Sequence, residues 1–241
     1  ASPGITNIMA KYASKFFTKI NDIQIKIGYS DFSTYKTESP LSSSYSIQTI
    51  LEEFSWKPAV CINEKTKFFE PNSGIENYNF PNPIGNKKLQ YTIHSEIATL
   101  PQTLKAKNVS FRISFDPQFA EKLITLKKLG FLSEEEIKLK DTKIKPKNGL
   151  IQILKKLPKS EYNKINEYEI IRVIVDGIKN NKKEKIIMDA RIEGINETID
   201  KDTGVPPSIV VNMIENGIIN KKGVFPPELI VPEEEFFKEI G

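Results

Sequence analysis

The chain has 241 residues, of which 39% are hydrophobic and 27% charged, and its formal net charge is +4. These fractions are ordinary for a globular protein, and the charge is too small to indicate the dense basic patch of a nucleic-acid-binding protein. A single cysteine excludes an internal disulfide and indicates a reducing compartment. No apolar run approaches the roughly 20 residues of a membrane span, and no signal peptide is visible. We therefore expect a cytoplasmic protein with neither nucleic acid nor a membrane as a partner.

The first half of the chain moves between helical and extended patterns. Apolar residues from Ile5 to Ile20 recur at the three- and four-residue spacing of an amphipathic helix, and a Pro3-Gly4 turn precedes them. The elements that follow are predicted as a strand over 22–30, a polar loop over 31–44, a helix over 44–56, a strand over 58–62 with a hairpin partner over 66–71, and a loop over 71–83.

The second half predicts more strands, separated by helices. Residues 90–101 alternate at first, so we expect an extended segment that ends at Pro101. The later elements are predicted as a strand over 109–115, helices over 116–130 and 145–158, a hairpin over 168–194 that turns at Asn180 and Asn181, and helices over 204–217 and 231–241. This order predicts an α+β fold, with a mixed, largely antiparallel sheet flanked by helices. The strand over 168–177 is long and apolar enough to lie at a sheet edge and pair with a second copy.

The motifs of several enzyme classes are absent from the sequence. No strand is followed by G-x-G-x-x-G, the fingerprint of a dinucleotide-binding domain, and there is no P-loop and no G-x-S-x-G. One histidine and one cysteine cannot form a His/Cys zinc cluster, so we expect no metal site. Composition and spacing alone therefore lead to an α+β domain of undefined chemistry.

Four separated stretches of the sequence are distinctive. They are SPGITNIMAKYA at the start, YSIQTILEEFSWKPAV, FPNPIGNKKLQYTIHSEIATLPQTL, and DTGVPPSIVVNMIENGIINKKGVFPPELIVPEEEFF near the end. In this order they resemble the saccharopine dehydrogenase-like enzymes, which include saccharopine reductase, lysine 6-dehydrogenase and carboxynorspermidine synthase. The resemblance extends over nearly the whole chain.

The resemblance implies an architecture. Members of this family begin with an NAD(P)-binding Rossmann domain, continue into a catalytic domain, and return at the C-terminus to pack against the first domain. Residues 1–200 would then be the catalytic, substrate-binding domain and residues 201–241 a helical return segment, with the Rossmann domain missing from this chain. The residues at the domain crossings, near the cofactor, would be Pro3, Gly4, Asn7, Thr203, Gly204 and Pro206.

The resemblance also implies an activity, which is hydride transfer with NAD or NADP at the C–N bond of an amino acid of the lysine or saccharopine type. The chain alone would be inactive, because the missing domain binds the cofactor, and we expect a homodimer. The rival interpretation is a non-catalytic amino-acid-binding or dimerisation module, which the absent glycine fingerprint favours. A third interpretation, a binder of acidic polymers through lysine-rich turns, is weaker because solvated loops explain those charges.

The family-like stretch HSEIATLP supplies the expected catalytic residues. His94 is the only histidine, and imidazole exchanges protons near neutral pH. Glu96 would orient the ring or receive a substrate ammonium, and Thr99 would donate a hydrogen bond to the substrate. Arg112 is the expected clamp for a substrate carboxylate, which suits a planar guanidinium. The alternatives are a satisfied, partly buried histidine, a solvated histidine–glutamate pair, and an ordinary cross-strand ion pair of the arginine.

Ser44, Tyr45 and Thr49 lie at the start of the helix predicted over 44–56. Helix N-termini bind anions through free backbone N–H groups, so these residues are candidates for a further substrate-carboxylate contact. Ordinary capping of the helix is the alternative.

Overall fold

The computed structural model describes residues 2–41, 45–197 and 199–241. The helices in these residues are α1 (Ile5–Ser14), α2 (Ile47–Ser55), α3 (Glu96–Thr103), α4 (Pro117–Lys128), α5 (Pro146–Leu154), α6 (Lys201–Glu215), α7 (Pro227–Ile230) and α8 (Glu233–Ile240). The strands are β1 (Lys19–Asp31), β2 (Thr34–Thr37), β3 (Ala59–Ile62), β4 (Lys65–Phe68), β5 (Glu76–Asn79), β6 (Asn86–Tyr91), β7 (Asn108–Ser114), β8 (Ile137–Leu139), β9 (Thr142–Ile144), β10 (Glu161–Lys164), β11 (Asn166–Lys179) and β12 (Lys182–Ile195).

The strands of the described residues form one eight-stranded sheet and two small two-stranded sheets. In the large sheet the strand order is β12-β11-β1-β7-β3-β4, with β6 also paired to β7 and β5 paired to β6. β1 and β7 run parallel, and the other pairings given for this sheet are antiparallel. The expected α+β fold with a mixed, largely antiparallel sheet is confirmed.

The main core lies between one face of the large sheet and the helices α1, α3, α6 and α8. Alternate residues of the central strands point into it, among them Ile23 and Ile25 of β1 and Val173 of β11, all fully buried. α6 and α8 contribute Met213 and Phe236 to the same cluster. The helices after residue 200 therefore share the core of the sheet domain.

A second cluster, which we call the helical lobe, is formed by α2, α4 and α5. Its buried side chains include Phe54 of α2, Leu123 of α4 and Leu150 of α5. Phe115, which follows β7, packs against this cluster, so the helical lobe sits beside the C-terminal end of β7. These helices, like the others in the described ranges, are not long and apolar enough to cross a bilayer.

The first helix is shorter than its apolar spacing predicts. α1 ends at Ser14, and Ile20, expected on its apolar stripe, belongs to β1, where it pairs with Gly177 of β11. An isoleucine at this position suits a helical stripe and a buried strand equally, and pairing with β11 decides between them.

The segment expected to be extended up to Pro101 becomes helical at Glu96. Pro101 lies inside α3 rather than at its end. A proline removes one backbone hydrogen bond from a helix, and here the burial of Ile97 and Leu100 in the main core offsets that cost.

Several other predicted elements also differ from the structure. β2 and β5 lie in stretches predicted as loops, because their polar residues pair with β10 and β6. α6 begins at Lys201, three residues before the predicted start. β11 lies between β1 and β12, so the strand expected at the edge is interior and β12 is the edge strand of the described sheet.

Candidate functional site

His94 lies flat against Phe111 on the helix-covered face of the large sheet. The two ring centroids are 3.7 Å apart and the ring planes differ by 5°. Phe111 is buried in β7, whereas the His94 side chain is 15% exposed. The sheet therefore holds one face of the imidazole and leaves part of the ring accessible.

Glu96 holds the edge of the same ring. Its Oε2 lies 2.6 Å from His94 Nδ1, and its Oε1 accepts a hydrogen bond from Thr6 Oγ1 at 2.6 Å. Burial alone would raise the pKa of Glu96, but the hydrogen bonds from His94 and Thr6 lower it, so the carboxylate is ionised at neutral pH. An anion at Nδ1 fixes the tautomer that has a proton there, and Nε2 is left for a ligand.

Glu96 itself cannot contact a substrate directly. Its side chain is fully buried, and both of its oxygens already have partners in α1 and in His94. Of the two residues expected to be catalytic, the structure therefore makes Glu96 the residue that orients His94.

A second carboxylate, Glu53 of α2, lies in the same region. Its Oε2 accepts a hydrogen bond from the Tyr45 hydroxyl at 2.6 Å. Burial raises the pKa of Glu53 to about 7, although the Tyr45 hydrogen bond and the charge of His94 both act to lower it. We refer to His94, Glu96, Glu53 and Tyr45, which are linked by these hydrogen bonds and by this charge effect, as the His94 cluster.

Two further acidic side chains, in β11 and α6, act on the His94 cluster through their charges. Glu169 of β11 lies two residues before Ile171, a main-core residue, so its side chain points to the same sheet face. Burial raises the pKa of Glu169 to about 8, and the charge of Asp202 in α6 adds to the rise. The charge of Glu169 in turn contributes to a raised pKa of Tyr45, after burial and Glu53. An environment that disfavours carboxylate charge in this way suits a ligand with a positive charge.

Two buried polar atoms shortly before His94 in the chain have no hydrogen-bond partner within the described residues, namely Gln90 Nε2 and Thr92 Oγ1. Gln90 is paired with Ile113 across β6 and β7, so it lies on the sheet face opposite to that of its neighbour Tyr91. Buried polar groups are normally paired. These two atoms are therefore further candidates for contact with a polar ligand.

Asn7 and Thr99, expected near cofactor and substrate, take part in a separate buried network. Asn7 Nδ2 donates to Glu228 Oε2 at 2.9 Å and lies 3.5 Å from Thr99 Oγ1. Thr103 Oγ1 donates to the other oxygen of Glu228 at 2.8 Å. This network ties α1, α3 and α7 together. Thr99 Oγ1 accepts in it, so the expected donation of its hydroxyl proton to a substrate stays a prediction.

Arg112 lies on the opposite face of the sheet from His94. Its guanidinium donates to the Gly74 carbonyl at 2.9 Å and the Tyr91 hydroxyl at 2.8 Å, and Glu76 Oε2 is 3.5 Å away. A cleft of about 230 Å³ opens beside it, lined by residues that include Asp22, Glu76, Tyr91 and Ser110. One small substrate cannot reach Arg112 and His94 together, so the expected carboxylate clamp is not assembled.

The other predicted residues are dispersed. Ser44 lies outside the described residues, and Thr49 is exposed, with its N–H 3.5 Å from the capping oxygen of Ser46. Tyr45 is the one described member of that helix start that belongs to the His94 cluster, through its hydrogen bond to Glu53, although the residue is 43% exposed. Of the remaining domain-crossing residues, Pro206 is buried. The others are exposed or half-buried, namely Pro3, Gly4, Thr203 and Gly204.

The two helix starts expected near the cofactor do not form a dinucleotide-phosphate site. The first turn of α6 carries Asp202. A phosphate bound at this helix start would lie close to that negative charge and be repelled by it. At the start of α1 the Gly4 N–H donates to Asn7 Oδ1 at 3.1 Å, so this donor is occupied. In the described ranges no group of three or more His, Cys, Asp or Glu side chains could hold a metal ion.

Sequence reasoning missed Glu53, Glu169 and the role of Phe111. A signal for Glu53 was present, because it lies three residues after Ile50 and next to Phe54 on the buried stripe of α2. A charged residue inside an apolar helical stripe is uncommon without a partner. No comparable signal marks Glu169, whose proximity to Tyr45 depends on the packing of distant segments.

Comparison with known proteins gives three findings. The model of the saccharopine dehydrogenase C-terminal domain family matches residues 1–241. Carboxynorspermidine synthase of Vibrio alginolyticus is 22% identical over 239 residues, and that of Vibrio cholerae is 24% identical over 249 residues. Each match covers 96% of this chain and 56% of the relative, so the chain spans about half the length of these curated relatives.

A solved structure has a similar fold. Apo histidine-tagged saccharopine dehydrogenase (L-Glu forming) from Saccharomyces cerevisiae superposes with a TM-score of 0.69, covering 99% of this chain and 69% of that one. The sequence identity is 14%, so this likeness concerns the fold alone.

Proposed function

The chain belongs to the family of saccharopine dehydrogenase C-terminal domains, and on that premise we propose that it is the substrate-binding, catalytic domain of an NAD(P)-dependent oxidoreductase. The proposed reaction is hydride transfer at the C–N bond of an amino acid of the lysine or saccharopine type. Residues 1–200 bind the substrate, and residues 201–241, with the exposed Thr203 and Gly204, face the nucleotide-binding domain.

One observation carries this proposal, namely the geometry of His94. Its Nδ1 is held by a buried, ionised Glu96, its ring is stacked on Phe111, and Nε2 remains available. An imidazole oriented through one nitrogen and free at the other is the arrangement of a general acid–base group. Glu53 and Glu169 are carboxyls whose charged forms burial disfavours, and the positive charge of an ammonium substrate would stabilise those charged forms.

In the oxidative direction, the substrate nitrogen gives up its proton to His94 Nε2, and the neutral amine then forms the C=N bond as the neighbouring C–H bond breaks. In the reductive direction, His94 returns the proton to nitrogen. Glu96 stabilises the imidazolium that forms in between, and Thr6 keeps Glu96 in place. A positioned acid–base group of this kind typically contributes about 10²–10⁴ in rate.

The nicotinamide cofactor supplies the hydride acceptor or donor when it is bound. The starts of α1 and α6 do not fit its phosphates, since the Gly4 N–H already donates to Asn7 and Asp202 occupies the first turn of α6. NAD or NADP is therefore held, in this proposal, by a nucleotide-binding domain that lies outside these 241 residues.

The test uses the chain joined to its nucleotide-binding domain. Lysine and saccharopine are assayed with both cofactors, and His94→Asn is expected to lower kcat about 10²–10⁴-fold with a small change in KM. Arg112→Lys, on the other sheet face, is the control and should keep most of the activity. Undiminished turnover in His94→Asn would overturn the assignment.

The proposed enzyme is a homodimer. β12 is a 14-residue edge strand of the described sheet, and Ile187 on it is half exposed. A long unpaired edge is a template for pairing with another chain. Sedimentation velocity should show a dimer, and Ile187→Lys should shift it towards monomer; a monomer at all concentrations contradicts this part of the proposal.

A further inference from the structure

The face of the large sheet that points away from His94 has a polar cleft beside Arg112, with a volume of about 230 Å³. Its floor is formed where β1 and β7 run parallel and Gln24 pairs with Ser110. Asp22 lies two residues before Gln24 and lines the same cleft, since alternate residues of a strand share a face. The reaction proposed at His94 leaves this cleft unused, because the sheet lies between them.

The Arg112 guanidinium is held in place but has donors to spare. Its Nε donates to the Gly74 carbonyl at 2.9 Å, and its terminal nitrogens donate to Ser110 Oγ at 3.3 Å and to the Tyr91 hydroxyl at 2.8 Å. The centroid of the Tyr91 ring also lies 4.1 Å from the guanidinium carbon. A guanidinium has five N–H donors, so each terminal nitrogen keeps one N–H without a partner among the described residues. A carboxylate can accept two such bonds at once.

The positive charge of Arg112 is only partly neutralised. Glu76 Oε2 lies 3.5 Å from Arg112 Nε, while Glu76 Oε1 accepts a hydrogen bond from Lys26 Nζ. Lys26 is a buried residue of β1, and it pairs with Arg112 across the two strands. Because two cations share one carboxylate, this end of the cleft has an excess of positive charge and attracts an anion.

The other end of the cleft is acidic. Asp22 Oδ2 accepts a hydrogen bond from Gln24 Nε2 at 2.7 Å, and Asp22 takes part in no ion pair within the described residues. Asp176 lies directly across from it on β11, with Lys185 Nζ at 3.7 Å. Burial raises the pKa of Asp22 and the charge of Asp176 adds to the rise, although the Gln24 hydrogen bond lowers it. A cation next to Asp22 would therefore stabilise its ionised form.

The two charged ends are separated by a short gap. Arg112 leans along β7 towards Ser110. Asp22 is held by Gln24, which pairs with Ser110. Both charges are therefore drawn to the same level of the strands, yet Asp22 and Arg112 form no ion pair with each other in the described structure. The cleft is smaller than the roughly 300–1,000 Å³ of most small-molecule pockets, so it suits a small ligand that carries both charges.

We propose that this cleft binds a free α-amino acid. The ligand carboxylate accepts hydrogen bonds from the two spare N–H groups of Arg112, and the ligand ammonium donates to Asp22. An α-amino acid fits the short gap because its ammonium and carboxylate are attached to one carbon. The site is separated by the sheet from His94, so the inference does not depend on the proposed function.

The binding is tested on this chain by NMR, with L-alanine as the probe. The sequence contains three arginines, Arg112, Arg172 and Arg191, so the arginine Nε–H spectrum has three signals and Arg112→Lys identifies one of them by its disappearance. L-Alanine is expected to shift the Arg112 signal to saturation. Acetate and methylammonium, the two halves of the probe, should shift it much less at the same concentration. A shift that is absent or does not saturate overturns the inference, and so does an equal effect of acetate, which would indicate a simple anion site.

Substitutions then locate the ligand. Asp22→Asn keeps the size of the side chain and an acceptor for Gln24 but removes the charge, and it is expected to weaken alanine binding about 10–100-fold, as for the loss of a hydrogen bond to a charged group. Glu193→Gln, at an exposed position of β12, is the matched control and should leave the affinity unchanged. His94→Asn should also leave it unchanged. Full affinity in Asp22→Asn, or a loss in His94→Asn, would overturn the inference.

Discussion

His94 and Phe111 are stacked face to face, 3.7 Å between centroids, and this contact joins the candidate site to the centre of the sheet. Phe111 is a fixed part of β7, which pairs with β1 and β6. The imidazole therefore has one face against a rigid ring and one edge against the buried Glu96. A group held on two sides keeps its orientation without help from a substrate, which is the preorganisation that acid–base catalysis needs.

The Thr6 hydroxyl is expected to support the site from α1. Thr6→Val leaves Glu96 Oε1 buried without its donor, which typically costs about 1–3 kcal/mol. Thermal unfolding at neutral pH should show the loss. Thr6→Ser keeps the hydroxyl and is the control. Equal stability of the Val and Ser variants would mean that the 2.6 Å contact contributes little.

Glu53 is expected to make the chain less stable at alkaline pH. Burial raises the pKa of Glu53 from 4.5 to about 7 in the folded state, so between these values the folded chain binds more protons than the unfolded chain. Stability then falls as pH rises through this window, by at most about 3.5 kcal/mol at about 1.4 kcal/mol per pH unit.

Glu53→Gln stays neutral at every pH and should remove this loss. We expect the unfolding temperature of Glu53→Gln minus that of the unmodified chain to be more positive at pH 8 than at pH 5. Glu215→Gln, at an exposed position of α6, controls for removal of one negative charge. The same difference at both pH values for Glu53→Gln would show that the carboxyl does not titrate in this range.

The Asn7–Glu228 hydrogen bond is expected to fix α1 to α7. Asn7→Ala removes a donor 2.9 Å from a buried carboxylate oxygen, and we expect a loss of about 1–3 kcal/mol in the free energy of unfolding. Denaturant titration measures it. Asn212→Ala, on an exposed part of α6, should lie within about 0.5 kcal/mol of the unmodified chain; a similar loss in both variants contradicts the prediction.

Two glycine substitutions should change stability in opposite directions. A Cβ at Gly177 of β11 would lie 2.5 Å from the Lys19 carbonyl oxygen, whereas a Cβ at Gly149 of α5 meets nothing within 4 Å. Gly177→Ala is expected to destabilise by about 1–3 kcal/mol. Gly149→Ala should stabilise by about 0.5–1 kcal/mol, because alanine is the better helix former. Calorimetry of both variants measures the sign of each change in stability. If Gly177→Ala were as stable as the unmodified chain, β1 and β11 would be able to shift apart.

The sequence predicted correctly those elements that carry local signals, such as alternating apolar residues, a helix cap or turn residues. The strand β7, the helix α4 with its Asp116 cap, and the hairpin turn at Asn180 and Asn181 follow the predicted pattern. Local signals failed at Ile20 and at Pro101, where strand pairing and core packing decided the conformation. Such long-range choices leave no mark within a window of a dozen residues.

The candidate site was predicted only in part for the same reason. His94 and Glu96 are two residues apart, so their pairing could be inferred from local sequence. The charge effect of His94 on Glu53 could not be inferred locally, because the position of Glu53 depends on the packing of Phe54 against Phe115. Arg112 was assigned to the correct strand and to the face opposite Phe111, but nothing in the sequence placed His94 on the Phe111 side.

The bond between Asn7 and Glu228 spans 221 residues of sequence, and Lys11 reaches the carbonyl of Val231 across 220. On a ribosome that adds about 5–20 residues per second, Asn7 and Lys11 lack these partners for roughly 10 to 45 seconds after α1 is made. The strands that pack on α1 are made earlier, because β12 ends at Ile195. The contacts of α1 with α7 are therefore among its last to form, and ribosome-bound chains stopped before Glu228 should be cut by protease at α1 more readily than the finished chain.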